Sequence, residues 1–261
     1  MSQTRRDFLF TLLGTGAGVA LSACSRKDAR IFEQPANAEE PTYPYPYTQL
    51  DPVKVANSAY EVYSAHHCMG GVFNAVIKEL GEQLGPPHST FPLEMMDYGA
   101  GGVVGIASLC GCLNGAAAAI GLLVSNGDDR TKLITDLFTW YEQTALPAFT
   151  PAAPKNDFTI ADSVAGSNLC HASVSNWCEA AGLKSFSPER AERCGRLTGA
   201  VAYKLVTMLN AYFGGTFAPG SPLTGETETC RSCHDKGGLL ENTRGKMACT
   251  TCHPDQSTGH P

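Results

Sequence analysis

The sequence predicts a mainly α fold, a helical cysteine-bearing domain followed by a small, loop-rich segment. Three observations lead there. Apolar residues recur at helical spacing through most of residues 53–213, alternating strand patterns are scarce, and the last 46 residues hold two cysteine pairs in polar, Gly-containing sequence.

Taken in order, residues 1–24 read as an export signal. Arg5-Arg6-Asp7-Phe8-Leu9 is a twin-arginine pattern, and the apolar run from Phe8 to Ala23 is short and Gly-rich for a membrane-spanning helix. It ends in Leu21-Ser22-Ala23-Cys24, which resembles a lipobox with Cys24 as the lipidated residue; Ala-x-Ala cleavage at Ala36 to Ala38 is the alternative. The expected location is periplasmic, with a lipid anchor to a membrane surface if the lipobox is used. Residues 25–52 are polar and Pro-rich, with Tyr43-Pro44-Tyr45-Pro46-Tyr47, and read as an extended tether or a surface-hugging arm.

Residues 53–215 form the expected helical domain, long enough for one core. A first helix over residues 55–84 places Val62, Val72, Val76, Ile77 and Leu80 on an apolar stripe. A second carries Leu133, Ile134, Leu137, Phe138 and Trp140, with Asp128-Asp129 able to cap its start. A third begins at Ser187-Pro188-Glu189-Arg190, Ser as N-cap and Pro in the first turn, and runs to Phe213 before Gly214-Gly215. Residues 98–127 carry no charge, but their density of Gly and Ala argues for closely packed helices rather than a membrane span. Residues 99–105 are too glycine-rich for a stable helix and read as a loop.

In residues 216–261, Cys230-Arg-Ser-Cys233-His234 and Cys249-Thr-Thr-Cys252-His253 are both Cys-x-x-Cys-His, the pentapeptide that attaches a c-type haem. Cys230, Cys233, Cys249 and Cys252 would bond two porphyrins, and His234 and His253 would each bind an iron. The 15 residues between Cys233 and Cys249 also give a structural zinc spacing, but a zinc knuckle has no use for a histidine directly after each pair. The segment is therefore expected to be a dihaem c-type cytochrome segment, and its chemistry agrees with export. Twin-arginine export carries folded proteins, which points to a further cofactor.

Loss of residues 1–24 removes Arg5, Arg6 and Asp7, leaving 17 basic against 24 acidic side chains. That acidic balance gives no sign of nucleic-acid binding and fits an electron carrier meeting redox protein partners. Six further cysteines, Cys68, Cys110, Cys112, Cys170, Cys178 and Cys194, lie in the helical domain. In an exported chain they could form disulfides or hold an iron–sulfur cluster, and composition leaves both open. Their positions inside helical apolar patterns, rather than in loops, suit ligands that meet at a buried point.

Tyr63-Ser-Ala-His66-His67-Cys68-Met-Gly-Gly-Val72, Leu109-Cys110-Gly-Cys112-Leu-Asn-Gly115, Asn168-Leu-Cys170 and Arg193-Cys194-Gly resemble, in order, a redox family named for its Cys, Gly-Cys-Ala-x-x-Gly, Cys, Cys spacing. With the two haem motifs appended, residues 53–261 resemble the split-Soret cytochrome c family of anaerobic bacteria. The resemblance implies a homodimer, two bis-histidine haems per subunit packed edge to edge, and an iron–sulfur site on Cys68, Cys110, Cys170 and Cys194. Cys112 falls where that family commonly has Ala, and Cys178 lies outside the matched set.

The second iron ligands are open. His66 and His67, adjacent on a predicted helix and so about 100° apart, lead the candidates; His88, after Pro86-Pro87, is second, and His171 and His260 follow. Met69, Met95, Met96, Met208 or Met247 could ligate instead. Electron transfer is favoured over two other readings, a haem-dependent small-molecule reductase and a zinc-stabilised, disulfide-bonded binding protein. Histidines suffice to close both irons, and no acid–base or nucleophile constellation is evident.

Overall fold

A computed structural model describes residues 42–254; the signal, Cys24, the Ala36–Ala38 site and His260 lie outside them. Among the described residues the helices are α1 (Pro52–Leu84), α2 (Gly111–Leu123), α3 (Gly127–Gln143), α4 (Cys170–Ala181), α5 (Pro188–Phe213) and α6 (Gly225–His234). Short 3-10 turns at His88–Thr90 and Leu93–Gly99 connect α1 to α2. The strands β1 (Ala145–Leu146) and β2 (Ser163–Val164) pair antiparallel over two residues each, so the mainly α expectation holds. No described helix is long and apolar enough to cross a membrane.

α1 begins earlier than its apolar stripe suggests. The Asp51 carboxylate accepts from the N–H groups of Val53 (2.8 Å) and Lys54 (3.2 Å), and Pro52 occupies the first turn. α3 corrects its expected cap: Asn126 Oδ1 accepts from Asp128 N (2.9 Å) and Asp129 N (3.1 Å), so the two aspartates occupy the first turn and face the helix dipole instead. α5 starts and ends as expected, with Ser187 Oγ accepting from Arg190 N at 3.2 Å and Gly214 following Phe213.

Val72, Val76, Ile77 and Leu80 of α1 share one core with Leu113 and Ile120 of α2, Leu133 and Leu137 of α3, and Val201 and Leu205 of α5. All ten are fully enclosed, each worth about 1.5–3 kcal/mol of burial. α2 lies unusually close to α1. A Cβ on Gly115 would come within 2.4 Å of the Met69 carbonyl, and one on Gly111 within 2.3 Å of the Cys68 sulfur. The described part of the expected tether is a strap. Tyr45 N donates to Leu122 O (3.1 Å), Tyr47 Oη donates to Asn210 Oδ1 (2.7 Å), and Leu50 is buried in the core.

α1 is interrupted at His67, whose φ of 54° and ψ of −160° is a conformation ordinarily left to glycine. A second helical run therefore starts at Cys68. His66 and His67 are not consecutive positions of one helix, and the 100° argument for them does not apply.

The C-terminal segment lies against α3. Asp136, buried, accepts from Gly220 N and Ser221 N, each at 2.6 Å, and Gln143 Nε2 donates to Pro222 O at 2.9 Å. Further along, Lys246 Nζ donates to Thr135 (3.3 Å) and Ala248 N to the Glu142 carboxyl (3.2 Å).

Candidate metal centre

Cys68, Cys110, Cys112, Cys170 and Cys194 all line one cavity of about 300 Å³, together with Tyr63, His67, Ser173, Arg190 and Arg193. Three of these cysteines mark helix starts, which corrects the expectation that they lie inside helical stripes. Cys68 follows the break at His67, Cys110 is the N-cap of α2, and Cys170 is the first residue of α4. The starts of α1, α3, α5 and α6 are capped by side-chain oxygens of Asp51, Asn126, Ser187 and Thr224. α2 and α4 have no such cap; Cys110 stands in that place in α2, and Cys170 directly follows it in α4. A helix N-terminus carries about half a positive charge, so three of them aimed at one void favour thiolate over thiol.

The cavity's charge comes from α5. Arg190 and Arg193 each place NH1 4.0 Å from Cys194 Sγ. Arg193 is 1 % exposed; its NH2 donates to Ser173 Oγ at 2.9 Å, and its Nε has no hydrogen-bond partner among the described residues. No described carboxylate pairs with it. A buried guanidinium without a counter-anion is costly, so this site requires negative charge, and deprotonated sulfur is the available source. The thiols divide in two directions. The Cys112 S–H, directed at its neighbours, lowers Cys68 and brings Cys110 down to about 6 against the opposing effect of burial. Those same contacts push Cys112 well up, and burial raises Cys170 to about 12.

No three described His, Cys, Asp or Glu side chains converge closely enough to hold one bare ion. A single metal needs its sulfurs about 2.3 Å from one point. Five thiols spread around 300 Å³ fit a multi-atom iron centre held by cysteines instead, and the orphaned Arg193 Nε fits its charge. All six helical-domain cysteines are unpaired thiols, so the disulfide alternative is not realised. Cys178 does not line the cavity.

The loop of residues 100–108 roofs the void. Val103, Val104 and Ala107 take positive φ (64°, 43° and 63°), held by bonds such as Val104 N to Tyr98 O (2.9 Å) and Ala107 N to Gly101 O (3.0 Å). Left-handed backbone at β-branched residues survives only where the surroundings dictate it.

Both Cys-x-x-Cys-His motifs fold as one helical turn. The first closes α6, so Cys230, Cys233 and His234 stand at i, i+3 and i+4 on one face. The second makes its own turn, with Cys252 N (3.2 Å) and His253 N (3.0 Å) donating to Cys249 O. His234 Nδ1 lies 2.7 Å from Asn242 Oδ1, which directs Nε2 toward any metal.

The remaining candidates separate clearly. His66 Nδ1 pairs with Asp97 Oδ1 at 3.0 Å, the carboxylate–histidine arrangement typical of metal ligands. His67 borders the cysteine cavity. His88 is buried edge-on against Tyr45, where an enclosed ring offers no face to a macrocycle. His171 is exposed at the start of α4. Met69, Met96 and Met208 are core residues, Met95 is exposed, and the Met247 sulfur is engaged by Ser167. Sequence reasoning passed over Arg190, Arg193 and Ser173 as site residues. The one signal was an arginine directly preceding Cys194.

Comparison with known proteins agrees with this geometry. The family "Putative redox-active protein (C_GCAxxG_C_C)" matches residues 67–208. Split-Soret cytochrome c of Desulfovibrio desulfuricans is 33% identical over 268 residues, covering 97% of this chain and 95% of that protein. The solved structure of that cytochrome, described for a novel iron centre, aligns with TM-score 0.77 and 33% identity over 83% of this chain and 95% of its own.

Proposed function

This chain belongs to the split-Soret cytochrome c family, and from that premise we propose that it is an exported dihaem electron carrier with an additional cysteine-ligated iron–sulfur cluster. One observation carries the reading: a single chain joins a cavity lined by five thiols and a buried arginine that has no carboxylate partner to two turns that each present two cysteines and a histidine on one face.

Cys68, Cys110, Cys170 and Cys194 would hold the cluster, and Cys230, Cys233, Cys249 and Cys252 the two haems. When bound, these groups supply one-electron couples whose potentials follow the charge, burial and hydrogen bonding around them. The chain's own contribution is to bind, orient and shield. Arg190 and Arg193 offset thiolate charge, the roof loop limits water, and Asn242 sets the tautomer of His234. For the sixth ligands the Asp97-oriented His66 leads, with His67 behind it. In a homodimer His66 would serve a haem of the partner subunit. The twin-arginine signal supports a periplasmic location and Cys24 a lipid anchor. An acidic surface suits redox protein partners and gives nucleic acid no purchase.

Visible spectra of oxidised and reduced protein, with a pyridine haemochrome count and iron and sulfide analysis, test this. The expected result is two covalent haems per chain, plus further iron with acid-labile sulfide. No haem, with zinc in its place, overturns it.

A further inference from the structure

Residues 166–170 lead directly from the cysteine cavity to the second haem-attachment motif. At the cavity end, Cys110 N donates to Asn168 O (2.9 Å) and Cys170 N to Ser108 O (2.7 Å), while Leu109 and Leu169 form an antiparallel bridge. Asn168 and Ser167 therefore sit one and two residues from Leu169, already bonded to the strand that carries Cys110. At the tail end, Ser167 Oγ donates to Met247 Sδ at 3.4 Å, and Thr251 Oγ1 donates to Gly166 O. Met247 stands two residues before Cys249, and Thr251 lies between Cys249 and Cys252.

Of the other described hydrogen bonds from tail to body, those at Asp136, Gln143, Thr135 and Glu142 land on α3, which supplies no cysteine to the cavity, and Thr216, where the tail begins, bonds back to Ala211 at the end of α5 (2.8 Å), far in sequence from Cys194. The Ser167 crossing differs in kind. Ser167 is fully buried, and it meets the soft, polarizable thioether of the half-buried Met247. From the Cys110 amide to Cys249 the route needs two hydrogen bonds and a few peptide units.

We propose that Ser167 and Met247 are positioning residues that couple the cysteine cavity to the haem at Cys249–His253, making residues 166–170 the internal electron bridge of this protein. The inference rests on the functional reading above. With both groups bound, the iron centre held by the cavity cysteines would be the one-electron donor and the haem held by Cys249, Cys252 and His253 the one-electron acceptor. No bond forms or breaks, and no proton is required.

The test uses the full-length holoprotein, oxidised and then given less than one electron per chain by a photoexcited ruthenium complex. Redistribution between cluster and haem absorption is followed in wild type, Ser167→Ala, Met247→Leu and Gln143→Ala. Ser167→Ala and Met247→Leu remove the same bond from opposite sides with little change in volume, so either alone suffices if the other fails to fold. Both are expected to slow redistribution several-fold while haem count, iron content and midpoint potentials stay at wild-type values; Gln143→Ala, which loosens the tail elsewhere, leaves the rate unchanged. Unchanged rates in the folded bridge variants overturn the inference alone. Wild-type protein holding two haems but no cavity iron overturns the functional reading and the inference together.

Discussion

Residues 52–213 bury a continuous apolar core and hold Cys68, Cys110 and Cys170 at helix starts that this core fixes, whereas residues 216–254 bury a single residue, Thr227. Leu239 is 85 % exposed and Leu240 47 %, so the tail has no apolar interior of its own. It is kept in place by polar bonds to α3 and to residues 166–167. The contrast teaches that the two redox regions are preorganised by different means. The helical domain shapes a void in advance through rigid packing, while the tail relies on a borrowed surface and, in the proposed function, on its covalent macrocycles for bulk.

The sharpest break of this comparison is to empty one region and read the other. Cys233→Ala or Cys252→Ala should each lower the pyridine haemochrome count from two to one, with cavity iron retained. Cys110→Ala should abolish cavity iron and sulfide with both haems kept. Loss of both cofactor types in either variant would mean that the regions fold and load as one unit.

A smaller effect is expected at the latch. Asp136→Ala leaves two backbone N–H groups of the tail without their acceptor and removes the partner of Lys204, 3.7 Å away. A loss of about 2–3 kcal/mol is expected in chemical denaturation, with residues 216–254 becoming the first site cut in limited proteolysis. Unchanged cleavage would show that the tail is held elsewhere.

His67→Gly sharpens the same comparison on the other side. Glycine adopts φ 54° without strain, so the variant should be more stable than wild type by about 1 kcal/mol. A loss of stability instead would show that the imidazole contributes more at the cavity than its backbone costs.

The smallest expected effect concerns Glu142, whose carboxyl burial raises above its usual value against the bond from Ala248 N. A raised folded pKa means that the native state holds a proton the unfolded chain has released. Its contribution is full below the unfolded pKa of about 4.5 and is lost as pH rises through the folded one. Glu142→Gln removes that loss, so the variant's stability relative to wild type should increase with pH through this window. Denaturation midpoints from pH 4 to 8 check the sign.

The helical pattern, the cap at Ser187, the loop over residues 99–105 and both Cys-x-x-Cys-His pentapeptides were legible in sequence because each depends on residues within a few positions of one another, whereas α6 was not expected in a segment read as loop-rich. A cap, a period of 3.6 or a pentapeptide is local chemistry. The four family cysteines were legible only through resemblance, since a ligand set drawn from Cys68 to Cys194 leaves no spacing rule to read.

What tertiary structure decided is of another kind. That Cys112 joins the ring, that Arg193 is buried there without a carboxylate, and that helix starts carry three of the five sulfurs all follow from how α1, α2, α4 and α5 meet. So does the break at His67, which no local propensity announces. The same holds for Ser167 meeting Met247 across 80 positions of chain. Burial and electrostatic environment are properties of the packed interior, and a linear sequence states the residues but not which of them will share a void.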